Sequence, residues 1–138
     1  MLIKKPSLGV GVLIFDGNKI LLGKRKSSHG SGTWAPPGGH LHFGETFFEC
    51  AKREVMEETG MEIDDLMEGP ITNDIFLEEQ KHYITVFIIA KKFTDQPKLM
   101  EPEKCEQWKW FDIDALPDTL FLSFANLIKK YDLKSVKG

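Results

Sequence analysis

Glu54, Glu57 and Glu58 stand at i, i+3 and i+4, a spacing that puts three side chains on one face of an α-helix. Like charges so placed repel, and the cluster destabilises a helix unless something neutralises it. Arg53 offsets part of that charge. A divalent cation offsets more, and hard oxygen donors of this kind suit Mg²⁺ or Mn²⁺. The chemistry open to such a face is the activation of water beside a metal, with a carboxylate taking the proton. By itself, a glutamate run is more often a solvated face, so the surrounding residues decide.

Those residues form a helix with both ends marked. Pro36 and Pro37 stiffen the approach, and Gly38 and Gly39 then free the backbone. Thr46 with Glu49 three residues on is a capping-box pattern, and Gly60 is a stop signal. Phe47, Phe48, Ala51 and Val55 lie on the arc next to the acidic one and predict a packed flank. Gly39, Glu45, Arg53, Glu54, Val55, Glu57, Glu58, Gly60 and Met61 match G-x5-E-x7-R-E-U-x-E-E-x-G-U, where U is a bulky apolar residue. Such a coincidence arises by chance on the order of once in 10⁹ windows. The pattern resembles the signature of the Nudix hydrolases, with no departures.

The resemblance implies a loop–helix–loop that binds divalent metal and a fold that cleaves nucleoside diphosphates linked to another moiety. It assigns Gly39, Glu54 and Glu58 to the metal, with Glu57 ligating directly or through water. It makes Glu57, Glu58 and Arg53 the catalytic set. Either Glu57 or Glu58 is the base, while Arg53 and Glu45 brace the loop and helix. Glu103, in the loop from Glu101 to Glu106, is a further candidate metal ligand. Mg²⁺ is the expected cofactor, with Mn²⁺ able to replace it.

Substrate contacts lie outside this segment. Lys24, Arg25 and Lys26 form a basic knot, and the planar fork of Arg25 is the best suited to phosphate oxygens. Trp34 reads as core or pocket wall, and His42 as a pocket-edge residue that touches substrate. His40 and His42 alternate as a pair but lack a third ligand for zinc, and His29 reads as a loop residue. The stretches GKRK…GTWAPPGGHLHFGE and MEPEKCEQWKWF resemble MutT-type nucleoside triphosphate pyrophosphohydrolases. That subgroup includes enzymes that clear oxidised nucleotides and is commonly dimeric. The expectation is therefore hydrolysis of a (deoxy)nucleoside triphosphate to the monophosphate and pyrophosphate by a homodimer. ADP-ribose, a nucleotide sugar or a dinucleoside polyphosphate are alternative substrates, and a non-catalytic nucleotide sensor is the alternative of another class.

The chain has 138 residues, 41% hydrophobic and 28% charged, which suits one domain over residues 1–138 with the motif at 39–61. A net charge of −3 gives no electrostatic case for nucleic acid or a membrane surface. Two cysteines, Cys50 and Cys105, make no disulfide framework and suit a reducing cytoplasm, with Cys50 as a buried filler. No apolar run approaches the roughly 20 residues that span a bilayer.

In order, Met1 to Ser7 reads as a loose lead-in. Leu8–Phe15 and Lys19–Arg25 read as a hairpin about Asp16-Gly17-Asn18. Ile71–Leu77 and His82–Phe93 read as strands, the second covered on both faces, and Trp108–Phe111 as the last strand. Asp112–Pro117 reads as a short helical turn, Leu120–Tyr131 as an amphipathic helix, and Lys134–Gly138 as a fraying tail. The class is α+β, a mixed sheet sandwiched between helices, in agreement with the α/β/α sandwich that the Nudix resemblance implies.

Overall fold

The computed structural model describes residues 4–138. The chain runs β1 (Ser7–Asp16), β2 (Lys19–Arg25), β3 (Trp34–Ala35), β4 (Gly38–His40), α1 (Phe47–Thr59), β5 (Glu62–Phe76), β6 (Lys81–Thr94), β7 (Cys105–Asp112), α2 (Leu122–Lys130) and α3 (Leu133–Lys137). Period-two alternation sorts the apolar residues of the central strands to two sides of one sheet. Val10, Val12 and Ile14 of β1, Leu21 of β2 and Val86, Ile88 and Ala90 of β6 meet Cys50, Ala51 and Val55 of α1. Leu13, Phe15, Ile20, Leu22, Phe87 and Ile89 point the other way, onto Phe124 and Leu127 of α2 and Leu133 of α3. Each of these large side chains, taken out of water, stabilises the fold by about 1.5–3 kcal/mol before entropy is counted. The result is the expected α+β sandwich.

The sheet order is β3-β2-β1-β6-β5, with β4 also on β1 and β7 also on β2. β1 and β6 run parallel from Ser7↔Tyr83 to Ile14↔Ala90, and the other pairings between these named strands are antiparallel. The β1–β2 hairpin pairs only at Phe15↔Ile20 and Asp16↔Lys19. Beyond that point the two strands part, and β4 takes the freed edge of β1 through Gly9↔His40, Val10↔Gly39 and Gly11↔Gly38. The gap between the parted strands is the mouth of the cleft described below.

Several boundaries differ from the sequence reading. The strand expected over Ile71–Leu77 begins earlier, since β5 runs from Glu62 through Gly69-Pro70 as a 15-residue strand with a register shift between Glu68 and Ile71. An edge position explains this: β5 pairs only with β6, so a proline costs no ladder bond on its free side. β7 begins at Cys105, three residues earlier than the tryptophan-rich core of the strand, because Arg25 pairs with Cys105 after a bulge. Asp112–Pro117 is a hydrogen-bonded turn, closed by Ala115 N–H donating to the Asp112 carbonyl, and not a helix. α2 starts at Leu122 because Leu120 is bridged to Trp34. The tail forms α3, with the Asp132 carboxylate capping Lys134 N–H. Of the lead-in, residues 1–3 lie outside the described residues, and Ser7 already belongs to β1.

Candidate active site

The capping box on α1 is complete. Thr46 accepts from Glu49 N–H, Glu49 accepts from Thr46 N–H, and Gly60 closes the helix in the left-handed region at φ 73°. The acidic face of α1 is thereby held against β4. Glu54 lies so close to Gly39 that a Cβ on that glycine would stand 2.4 Å from its carboxyl. Gly38 N–H donates to Glu58 Oε2 at 3.0 Å. Trp108 of β7 donates its indole N–H to the Glu58 carbonyl at 3.2 Å, fixing the last turn of the helix from the far side. The Glu58 carboxyl is held well above the ordinary carboxylate range, first by burial and then by the charge of Glu54, with the Gly38 bond acting in the opposite sense.

Arg53 serves this assembly without lining the cleft. Its Nε donates to Glu45 at 2.6 Å, Nη1 to Glu54 at 2.7 Å, and Nη2 to the His40 carbonyl at 3.1 Å and to Glu45 at 3.0 Å. Glu57, more exposed, stands 3.4 Å from the same Nη1. One guanidinium therefore ties the loop, β4 and the helix together, as its planar donors allow. The Arg53 pKa rises above its usual value, chiefly through the Glu45 bond, and that bond holds the Glu45 carboxyl down at about 2. A lowered folded-state pKa contributes stability that is complete above the ordinary value of 4.5 and disappears as pH falls through about 2. Glu45→Gln should therefore lower the melting temperature at pH 7 by an amount that shrinks below pH 4.5 and vanishes near pH 2. A melting-temperature deficit constant with pH would refute this role for the ion pair.

The cleft itself has a volume of about 460 Å³ and reaches from the Glu54, Glu57 and Glu58 face to Phe76, Tyr83 and Phe121. Arg25 lines it, its guanidinium 4.3 Å from the Phe121 ring centroid and bonded to the His29 carbonyl and Ser27 hydroxyl. Burial pulls the Arg25 pKa below its ordinary value, with Glu58 pulling the other way. His42 lines the cleft from the exposed loop after β4. Trp34 does not; it packs on Phe111 at 4.8 Å as part of the second core cluster. Glu103 is exposed and away from the cleft wall, which the same loop reaches through Glu101 and Lys104, themselves 3.5 Å apart. Glu101 also adds to the raised Glu58 pKa.

His29 lies in the β2–β3 loop, as expected, and from there stands in the cleft wall with its ring against Phe76, Tyr83 and Phe121 and with Nδ1 bonded to Glu79. Nothing in the sequence spacing linked residues so far apart in the chain. Both cysteines are free, and burial pushes the Cys50 thiol up to about 11, which suits a filler and not a nucleophile.

Among the described residues, no three carboxylate, imidazole or thiol groups stand already gathered as ligands, since Glu57 leans toward Arg53. The donors at the acidic end nonetheless fit a hard divalent cation. Glu54 and Glu58 offer oxygen donors whose mutual repulsion a cation would relieve, and Gly39 lets the backbone pass close to the Glu54 carboxyl.

Comparison with known proteins agrees. The NUDIX domain family matches residues 5–131. The chain is 32% identical over 107 residues to an oxidized purine nucleoside triphosphate hydrolase from Danio rerio, covering 77% of this chain and 66% of that protein. It is 32% identical over 128 residues to an ADP-ribose pyrophosphatase from Methanocaldococcus jannaschii, covering 91% and 73%. It thus spans about two thirds to three quarters of the length of these relatives. A MutT NUDIX hydrolase structure from Burkholderia pseudomallei superposes with a TM-score of 0.84 at 30% identity, covering 91% of this chain and 95% of that one. With the motif intact, the capped acidic helix docked on β4 and the match running through nearly the whole sheet, the chain belongs to the Nudix hydrolase family.

Proposed function

We propose that the protein hydrolyses a nucleoside triphosphate to the monophosphate and pyrophosphate in a reaction that requires Mg²⁺, with Mn²⁺ as a substitute. The observation that carries this reading is the polarity of the cleft: three carboxylates at one end, Arg25 on its wall, and aromatic rings at the other. That layout suits a ligand with an anionic chain and a flat apolar ring system. Gly39, Glu54 and Glu58 would hold the metal, with Glu57 joining directly or through water. A divalent ion there neutralises phosphate charge and makes a water easier to deprotonate. Glu57 or Glu58 takes the proton from the attacking water. The Arg25 fork orients phosphate oxygens, His42 contributes at the rim, and Arg53 keeps Glu54 and the loop in place.

The relatives support two substrate classes, since one is named for oxidised purine triphosphates and another for ADP-ribose. Oxidised triphosphates are the favoured class here, on the stretches around GKRK and MEPEKCEQWKWF. A hydrolysis panel with Mg²⁺ should give monophosphate and pyrophosphate from a triphosphate faster than any product from ADP-ribose, nucleotide sugars or dinucleoside polyphosphates. Chelation should abolish the activity and Mg²⁺ or Mn²⁺ restore it. Preference for ADP-ribose would move the substrate assignment, and chelator-resistant turnover would remove the metal from the mechanism.

The reading includes a single domain over residues 1–138, supported by one sheet shared between both core clusters. It also includes a cytoplasmic homodimer. The free thiols support a reducing compartment, and exposed Met67, Ile71, Ile75 and Leu77 on and beside the edge strand β5 offer an apolar surface for a second copy. Among the described residues no helix is long and apolar enough to cross a membrane.

A further inference from the structure

Asp74 is 0% exposed, lies in the wall of the cleft, and has no part in the mechanism above. Its carboxylate gathers three neutral donors from three elements. Thr85 Oγ1 of β6 donates to Oδ2 at 2.6 Å, Thr72 Oγ1 of β5 donates to the same oxygen at 3.1 Å, and Asn126 Nδ2 of α2 donates to Oδ1 at 2.9 Å. Among the described residues no Lys, Arg or His pairs with it. A carboxylate buried without a cation is costly, and an apolar residue could join the three elements with less desolvation.

What the carboxylate does is fix a proton. A threonine hydroxyl has one proton and two lone pairs. Thr85 commits its proton to Asp74, so the oxygen it offers the cleft is an acceptor only. Sheet geometry places that acceptor along the substrate. His40 of β4, Gly9 of β1 and Thr85 of β6 lie in one row, so Thr85 is about 10 Å, two strand spacings, from the strand that abuts the acidic helix. Asp74 lies one strand further. Phe76, Tyr83 and Phe121 flank this end, and Ser123 adds a hydroxyl able to donate. The position lies two strand spacings from β4 and is rich in rings.

We propose that Asp74 is a positioning residue that holds the Thr85 hydroxyl as a fixed acceptor, so that the cleft selects nucleobases with a ring N–H beside a carbonyl. Guanine, hypoxanthine, uracil and the 8-oxopurines have that group. Adenine and cytosine have no ring N–H to give the Thr85 oxygen and can reach it only through an exocyclic amino group. The inference rests on the nucleotide reading above and deepens it.

Two variants and two readouts test it. Thr85→Val removes the acceptor, and Asp74→Leu, which leaves the Thr85 hydroxyl no partner at that position, lets the threonine turn its proton toward the cleft. Hydrolysis of GTP, ITP, ATP and CTP with Mg²⁺ is compared with calorimetric binding of GMP, IMP, AMP and CMP. The wild type should favour the guanine and hypoxanthine compounds in kcat/KM and in Kd. Each variant should lose that ratio by roughly tenfold or more, since a base N–H left without its acceptor is strongly disfavoured. Asp74→Leu should in addition raise the relative rate with ATP or CTP, which a merely structural clip would not do. A wild type without base preference, or variants in which all four substrates fall together, would overturn the proposal. A protein that turns over no triphosphate, yet binds GMP over AMP in an Asp74-dependent way, would keep this proposal and sink the hydrolytic one.

Discussion

Glu58→Gln should cut turnover by a factor on the order of 10³ while leaving the fold as stable as before, or more so. The two halves of that expectation come from one fact. Glu58 is pressed against Glu54 and half-buried at the cleft wall, and both burial and the neighbouring charge oppose its ionised form. An amide of the same shape keeps the acceptor for Gly38 N–H and removes the repulsion, so the melting temperature should hold or rise. The same amide can neither take a proton nor offer an anionic ligand. Steady-state rates with Mg²⁺ and calorimetric melting on one preparation decide the matter. Full activity would remove Glu58 from the chemistry, and lost activity with a lowered melting temperature would make it a structural residue. Glu57→Gln should also reduce turnover by orders of magnitude, with little change in stability because Glu57 is exposed and only loosely paired with Arg53.

The second large effect separates two adjacent glycines. Gly39→Ala should cost on the order of 100-fold in kcat with a modest loss of stability, because the new Cβ would stand 2.4 Å from the Glu54 carboxyl and displace a side-chain end. Gly38→Ala should instead destabilise the protein by about 3 kcal/mol or more, because its Cβ would fall 2.1 Å from the Val10 carbonyl oxygen, and two paired strands cannot yield as a side chain can. Urea denaturation and kinetics of both variants give a two-by-two comparison. Equal stability losses, or an active Gly39→Ala enzyme, would refute the distinction.

How much of this was legible in the sequence depended on how local the cause was. The α1 cap, its stop and its acidic face are set within one helix, and Thr46, Glu49 and Gly60 hold their expected places. The hairpin and the central strand of β6 were legible for the same reason: alternation is a local signal. Long-range partners were not legible. The strand reads as starting at Ile71 until Pro70 is known to lie on an edge, and Leu120 reads as helix until Trp34 is known to pair with it. In the site, Arg25, His42 and the α1 glutamates line one cleft. Trp34 went to the core, and the 101–106 loop presents Glu101, not Glu103. A loop residue's direction follows from the turn that carries it, here closed by Lys104 and Cys105 N–H groups on the Glu101 carbonyl, and composition does not encode that. The ring-lined end escaped notice because its members come from the β2–β3 loop, β5, β6 and the approach to α2.

The parallel pairing of β1 with β6 has a consequence for how the molecule comes into being. Every partner pair from Ser7↔Tyr83 to Ile14↔Ala90 is 76 residues apart in the chain (83 − 7 and 90 − 14). Such contacts are slow to form, because a long loop must close before any of them is rewarded. On a ribosome adding about 5–20 residues each second, β1 waits several seconds for its partner. During that time LGVGVLIF, the most apolar strand of the N-terminal half, has only its hairpin mate and β4 to cover it. The floor of the cleft, built where these two strands meet, therefore forms late, and the interval before it forms is when a nascent chain is most exposed to aggregation and most in need of a chaperone.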